Sequence, residues 1–150
     1  MKRCAWILLL LIIAGSGLSG QKAVERDAVL ADPEWQKLYD GCQPDPALLA
    51  SLRERIAGAR VEVYFAFWCG DSRNHVPVFR KIVDLLDVPD LTVEYFAVER
   101  KASPEQKYFA ADKEVERVPT FIVYRDGREI GRIIENPKVS ILEDLLNIVL

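Results

Sequence analysis

The sequence predicts an α/β fold, a sandwich with a central mixed sheet of about four strands flanked by helices. Three observations carry this. Two aromatic and β-branched runs, "VEVYFAFW" (61–68) and "LTVEYFAV" (91–98), are separated by a segment of helical period, the pattern of a parallel pair joined through a helix. "TFIVYRDGREIGRII" (120–134) reads as an antiparallel hairpin, because Asp126-Gly127 is a two-residue turn signal between β-rich runs. A last apolar stripe then closes the chain as a helix. At 150 residues and 50% apolar composition, the chain suffices for one domain with a real core.

The first 20 residues do not belong to that core. Lys2 and Arg3 precede an apolar run from Ala5 to Ala14, and the small-residue segment "GSGLSG" follows. This is the layout of a secretory leader, with cleavage expected after Ser19 or Gly20. Ten apolar residues fall short of the roughly 20 that span a bilayer, and an uncleaved N-terminal anchor is the alternative. Cys4 precedes the apolar run, unlike a lipid-attachment cysteine. Taking Lys2 and Arg3 from the 20 basic residues leaves 18 against 23 acidic ones, a formal charge of −5. No basic block survives, which argues against nucleic acid and anionic membrane as partners. The exported chain, periplasmic or extracellular, keeps Cys42 and Cys69 where disulfides can persist.

Along the remaining chain, residues 21–45 read as a polar extension, helical in part, with Asp32-Pro33 as N-cap and first helical residue. Asp45-Pro46 repeats that signal and opens the main domain, 46–150. Its helix carries Leu48, Leu49, Leu52 and Ile56 on one face and has Gly58 just past its end. After the first strand, a helix over 71–86 places Val76, Phe79, Val83 and Leu86 on one face. Ser103, Pro104 and Gln106 form a capping box that predicts a helix to about residue 113. Asn136-Pro137 predicts the start of the closing helix, whose stripe is Ile141, Leu142, Leu145 and Val149.

The residues that bear on function cluster at the junction between the first strand and its helix. Trp68-Cys69-Gly70 stands there, with Pro77 eight positions after the cysteine, Val118-Pro119-Thr120 at the hairpin start, and Asp126-Gly127 in its turn. In this order and spacing the chain resembles the thioredoxin superfamily over about residues 46–150, in particular exported bacterial thioredoxin-like proteins with a "WCGDS" signature. The resemblance implies that Cys69 is an exposed nucleophile at a helix N-terminus. It also implies that Pro119 is cis and faces Cys69, and that the Val118 backbone and Trp68 receive a substrate strand. Helix N-termini favour thiolate independently of any resemblance.

Three positions depart from the family pattern. Ser72 occupies the place of the second cysteine, so the usual internal disulfide is absent. Val63 stands six residues before Cys69, where many thioredoxins carry a buried carboxylate. No segment before Asp45 reads as the family's first strand. Ser72, three residues from Cys69, lies on the same face of the first helical turn, where a hydroxyl either donates to the sulfur or satisfies a backbone group. Asp71 places negative charge beside the sulfur and partly offsets the helix-end field. His75 is the single histidine, and six residues of helix turn it about 240° away from Cys69. Cys42, Cys69 and His75 have no metal-ligand spacing, and neither a metal nor a cofactor is implied. Tyr64, Phe65, Phe67, Tyr95 and Phe96 read as strand core.

Cys42 offers a second thiol. Twelve helical residues span about 18 Å and seven strand residues about 23 Å, so the helix from Pro46 and the strand before Cys69 have their far ends at one pole. Cys42 is therefore a candidate to resolve Cys69, with an external thiol as the alternative. The expected function is thiol–disulfide exchange on a protein substrate at Cys69, with Ser72 and Cys42 as its candidate partners. A non-catalytic binding module using the groove between Trp68 and Pro119, and a monothiol transferase acting on glutathione-type adducts, are the other readings.

Overall fold

The computed structural model describes residues 21–150, so the expected leader, its cleavage point and Cys4 lie outside the described residues. Five strands form one sheet in the order β1-β3-β2-β4-β5. The central strand, β2 (Ala59–Phe65), runs parallel to β3 (Thr92–Val98), with Val63 opposite Tyr95, and antiparallel to β4 (Thr120–Arg125), with Val63 opposite Phe121. The hairpin to β5 (Arg128–Ile134) turns at Asp126 and Gly127, both at positive φ (51° and 74°), the conformation its sequence specifies.

The fifth strand was not legible. β1 (Gln21–Val24) pairs antiparallel with β3, and its four residues are too few to carry a period-2 signal of their own. The mixed α/β architecture stands, with five strands rather than four. Residues 21–45 are helical in part, as expected: a 3-10 turn (Arg26–Leu30) and α1 (Pro33–Gly41), N-capped by the Asp32 carboxylate. They are also integral, because Val29 and Trp35 are fully buried in the main core.

α2 (Pro46–Arg53) is capped by Asp45, which accepts from the Ala47 and Leu48 amides. It ends three residues before Ile56, the last residue of its apolar stripe. The Arg53 guanidinium donates to the Leu86 and Leu85 carbonyls (2.8 and 2.6 Å), fixing the C-terminus of α2 against that of α3 (Gly70–Leu86). α3 tolerates Pro77 within its length and buries Val76, Phe79, Ile82 and Leu86. α4 (Ile141–Val149) buries its predicted stripe but starts later than Asn136-Pro137 implied. Ser140 is the true N-cap: its hydroxyl accepts from the Glu143 amide and donates to the Glu143 carboxylate. The Asp144 carboxylate meanwhile accepts from the Lys138 and Val139 amides and holds 136–139 as a bend.

The two faces of the sheet differ. Val61, Val63 and Phe65 point into the core shared with all four helices. Tyr64, with Ile122 and Tyr124, points the other way, into a smaller cluster with Val98, Ala110, Val115 and Val118. The segment between β3 and β4 covers this second face without a helix, contrary to the capping-box reading. Gln106 does satisfy a backbone amide, but that of Ala102. Downstream, the Phe109 amide donates to the Val115 carbonyl and the Val115 amide to Ala110, closing a bridge that buries Ala110 and Val115. Apolar burial on an otherwise uncovered face outweighs a local helix signal.

Candidate functional site

Cys69 is the N-cap of α3 and follows a turn in which its amide donates to the Ala66 carbonyl (3.1 Å). Its own carbonyl receives the Arg73 amide, the first bond of the helix. Ser72 pins the same turn from the other side: its hydroxyl oxygen, fully buried, accepts the Ala66 amide at 3.2 Å. Of the two roles open to Ser72, it performs the backbone one. The side chain ties the end of β2 to the first turn of α3 and thereby fixes where Cys69 stands.

The half-buried Cys69 thiol donates to the Val118 carbonyl at 3.3 Å, across 49 residues of sequence. The Val118–Pro119 bond is cis, and both residues are buried. Pro119 is secured in turn by its carbonyl, which accepts the Glu135 amide (2.7 Å), and by Thr120, whose hydroxyl donates to the Arg117 carbonyl (2.7 Å). Trp68 is 38% exposed, lies 6.0 Å from the Phe109 ring and carries the Arg100 guanidinium 4.4 Å above its own ring. Phe67, expected in the strand core, is half exposed and packs edge-on against Phe65.

Cys42 lies elsewhere. It lines a cavity of about 280 Å³ with Leu48, Val78 and Ile82, and burial raises its pKa, partly opposed by Lys81. Both Cys42 and Cys69 are free thiols. The shortness of α2 explains the placement. Its eight residues rise about 12 Å back along α3 from Leu86, to the level of Val78. Cys69 stands nine residues further along α3, roughly another 13 Å. His75 points away from the thiol, its Nε2 lying 3.0 Å from the Asn136 side-chain oxygen. Among the described residues no group of three His, Cys, Asp or Glu side chains is arranged to hold a metal ion, and no helix is long and apolar enough to cross a membrane.

Sequence reasoning missed Glu62. Val63 faces the helices, and its neighbour Glu62 is buried on the other face of the sheet. Its carboxylate accepts from the Tyr64 and Tyr124 hydroxyls, both at 3.1 Å, pairs with Arg60 and lies 3.5 Å from the Lys113 ammonium. Burial opposes the charge, yet the Arg60 hydrogen bond, Lys113 and Tyr64 together hold the carboxyl below its usual range. A charge inside an otherwise apolar strand run was the available signal. Lys113 belongs to the segment covering the second face, so Glu62 anchors the loop that leads to Val118.

A family model described as thioredoxin matches residues 17–144. The chain belongs to the thioredoxin family. It is 27% identical over 84 residues to a thioredoxin of Chlamydia pneumoniae, covering 56% of this chain and 76% of that one. It is 30% identical over 129 residues to thioredoxin H2-1 of Oryza sativa, covering 85% of this chain and 78% of the relative. A crystal structure of a protein of unknown function from Pseudomonas aeruginosa superposes with a TM-score of 0.56 at 18% identity, over 83% of each chain, a likeness of fold. Within the thioredoxin family this chain joins a helix-capping cysteine and a proline loop to a single-thiol motif, with serine at position 72.

Proposed function

We propose that the protein is exported and exchanges thiols and disulfides at Cys69 on disulfide- or thiol-bearing protein substrates. The observation that carries this reading is the 3.3 Å approach of the Cys69 sulfur, at the N-cap of α3, to the Val118 carbonyl beside Pro119. In this reading an extended substrate segment lies against Trp68 and pairs with the Val118 backbone. In the first step, Cys69 gives up its proton and its thiolate attacks one sulfur of a substrate disulfide. That S–S bond breaks, a Cys69 mixed disulfide forms, and the other substrate sulfur leaves as thiolate and takes up a proton. An external thiolate then attacks the mixed disulfide at the substrate sulfur, releasing Cys69 and oxidising the incoming thiol onto the substrate. Cys42, a free thiol lining a separate cavity with Val78 and Ile82, is not assigned that part.

Export rests on the basic, apolar and small-residue order of residues 1–20. Cleavage after Gly20 leaves β1 whole. The test is intact-mass analysis of the reduced protein after reaction with a disulfide-containing protein. A single adduct on Cys69, reversed by an external thiol and absent in Cys69→Ala, is expected. No adduct under any thiol poise would instead favour a binding module, a reading that draws on Ser72 being committed to Ala66 and supplying no second sulfur.

A further inference from the structure

The loop between β3 and β4 carries five cations, and four have a defined occupation. The Lys101 ammonium donates to the Lys107 and Glu116 carbonyls (2.6 and 3.1 Å), bracing the base of the loop. Lys107 pairs with Glu116 at 3.0 Å, Lys113 with buried Glu62 at 3.5 Å, and Arg117 with Glu135 at 2.6 Å. Arg100 is the exception. Its guanidinium stacks on Trp68 at 4.4 Å and, among the described residues, meets no carboxylate and no carbonyl. An arginine on an indole face loses little of its hydrogen-bonding capacity, because its N–H groups radiate from the edge of the plane. Its position is fixed on two sides: Lys101, next in the chain, is tied to the loop, and Trp68 leans on Phe109 at 6.0 Å. Trp68 is the chain neighbour of Cys69. A pre-placed, unpaired cation therefore stands over the residue next to the reactive sulfur.

We propose that Arg100 is a specificity-determining residue that selects protein disulfides flanked by acidic residues. The proposal rests on the exchange reading given above and names its substrate class. A carboxylate one or two residues from the substrate cysteine takes the free edge of the guanidinium while the strand lies against Trp68, forming a charge-assisted bond over an aromatic floor. Glu99, exposed, precedes Arg100 in the chain, and Asp71 lies two residues after Cys69 in the first turn of α3. They disfavour an acidic substrate without Arg100, so the preference depends on this one side chain.

The test uses three synthetic peptides whose single cysteine is activated as a thiopyridyl disulfide and flanked by Glu, Gln or Lys. Attack by Cys69 on the peptide sulfur releases thiopyridone, and each rate is normalised to that with mercaptoethanol, which carries no charge. The Glu peptide is expected to react about five- to tenfold faster than the Lys peptide at low salt, with the ratio shrinking at 0.5 M salt. Arg100→Gln brings the ratio close to one, and Arg100→Glu inverts it. Equal rates in the unaltered protein, or a ratio that survives Arg100→Glu, would overturn the proposal. So would a Glu99→Gln variant that raises the ratio as much as Arg100→Gln lowers it, since the selectivity would then be the loop's net charge. Binding of cysteine-free versions of the peptides to Cys69→Ser, followed by Trp68 fluorescence, separates this from failure of the exchange reading. If no peptide reacts but the Glu peptide binds at least threefold tighter in an Arg100-dependent way, the selectivity stands and the exchange chemistry falls. Absence of both effects removes both.

Discussion

The Ser72 hydroxyl oxygen accepts the Ala66 amide at 3.2 Å and has no exposure to solvent. This bond spans the turn that presents Cys69, so position 72 serves the geometry of the site although it carries no sulfur. Ser72→Ala leaves the buried Ala66 amide unsatisfied, and a loss of about 1–3 kcal/mol is expected in chemical denaturation. Ser72→Cys costs less and places two sulfurs three residues apart on one helical turn. An internal disulfide with Cys69 should then form, and dithiol-driven reduction of a model disulfide protein should rise, because resolution becomes intramolecular. Cys69→Ala in that background should remove the gain.

Cys42 sits near Val78 and Ile82, about 13 Å of helix rise from Cys69, and burial raises its pKa. Cys42→Ser should leave the lifetime of Cys69 mixed disulfides on non-reducing gels within twofold of the unaltered protein. Alkylation of Cys42 in the native protein should accelerate as the pH is raised beyond the ordinary thiol range. A long-lived adduct appearing only in Cys42→Ser would show that this thiol reaches Cys69 after all.

The Glu62 carboxyl is held below its usual range in the folded protein, so its ionised form favours the fold. That contribution is complete above the ordinary carboxylate pKa and is lost as the pH falls through the lowered folded value. Stability should therefore decline on acidification below about pH 4.5, and Glu62→Gln should flatten the decline. At neutral pH the same variant should lose roughly 1–3 kcal/mol, since Tyr64, Tyr124 and Lys113 lose a charged partner. Denaturant melts at pH 3, 5 and 7 measure both effects.

Gly131 lies against α4. A Cβ at this position would come within 2.9 Å of Ile148 Cγ1 and 3.0 Å of Cγ2, branch atoms that cannot swing aside freely. Gly131→Ala should cost about 1–3 kcal/mol through overpacking. Adding Ile148→Ala should recover part of that loss, and a double-mutant cycle in thermal melts would measure the coupling.

Exported material should begin near Gly20 or Gln21 by intact mass. Protein retaining Met1 to Gly20 in a membrane fraction would reassign those residues as an anchor.

Local signals determined much of this protein. Asp32 and Asp45 cap their helices, Asp126-Gly127 turns the hairpin, and the stripes of α3 and α4 face the core, because each depends on residues within a turn or two. The Cys69 and Val118-Pro119 pairing was readable only through resemblance, as 49 residues separate the two. Tertiary structure decided the rest. β1 exists because β3 has an open edge to pair with, and the segment around Ser103 stays non-helical because a whole sheet face needs Ala110 and Val115. Arg53 ties the end of α2 to the end of α3, and Cys42 lines a cavity beside Val78 and Ile82. Ser72 and Glu62 took their roles from partners on other elements. Their side-chain chemistry was visible in the sequence; which backbone group or hydroxyl would meet it depended on how the sheet and helices packed.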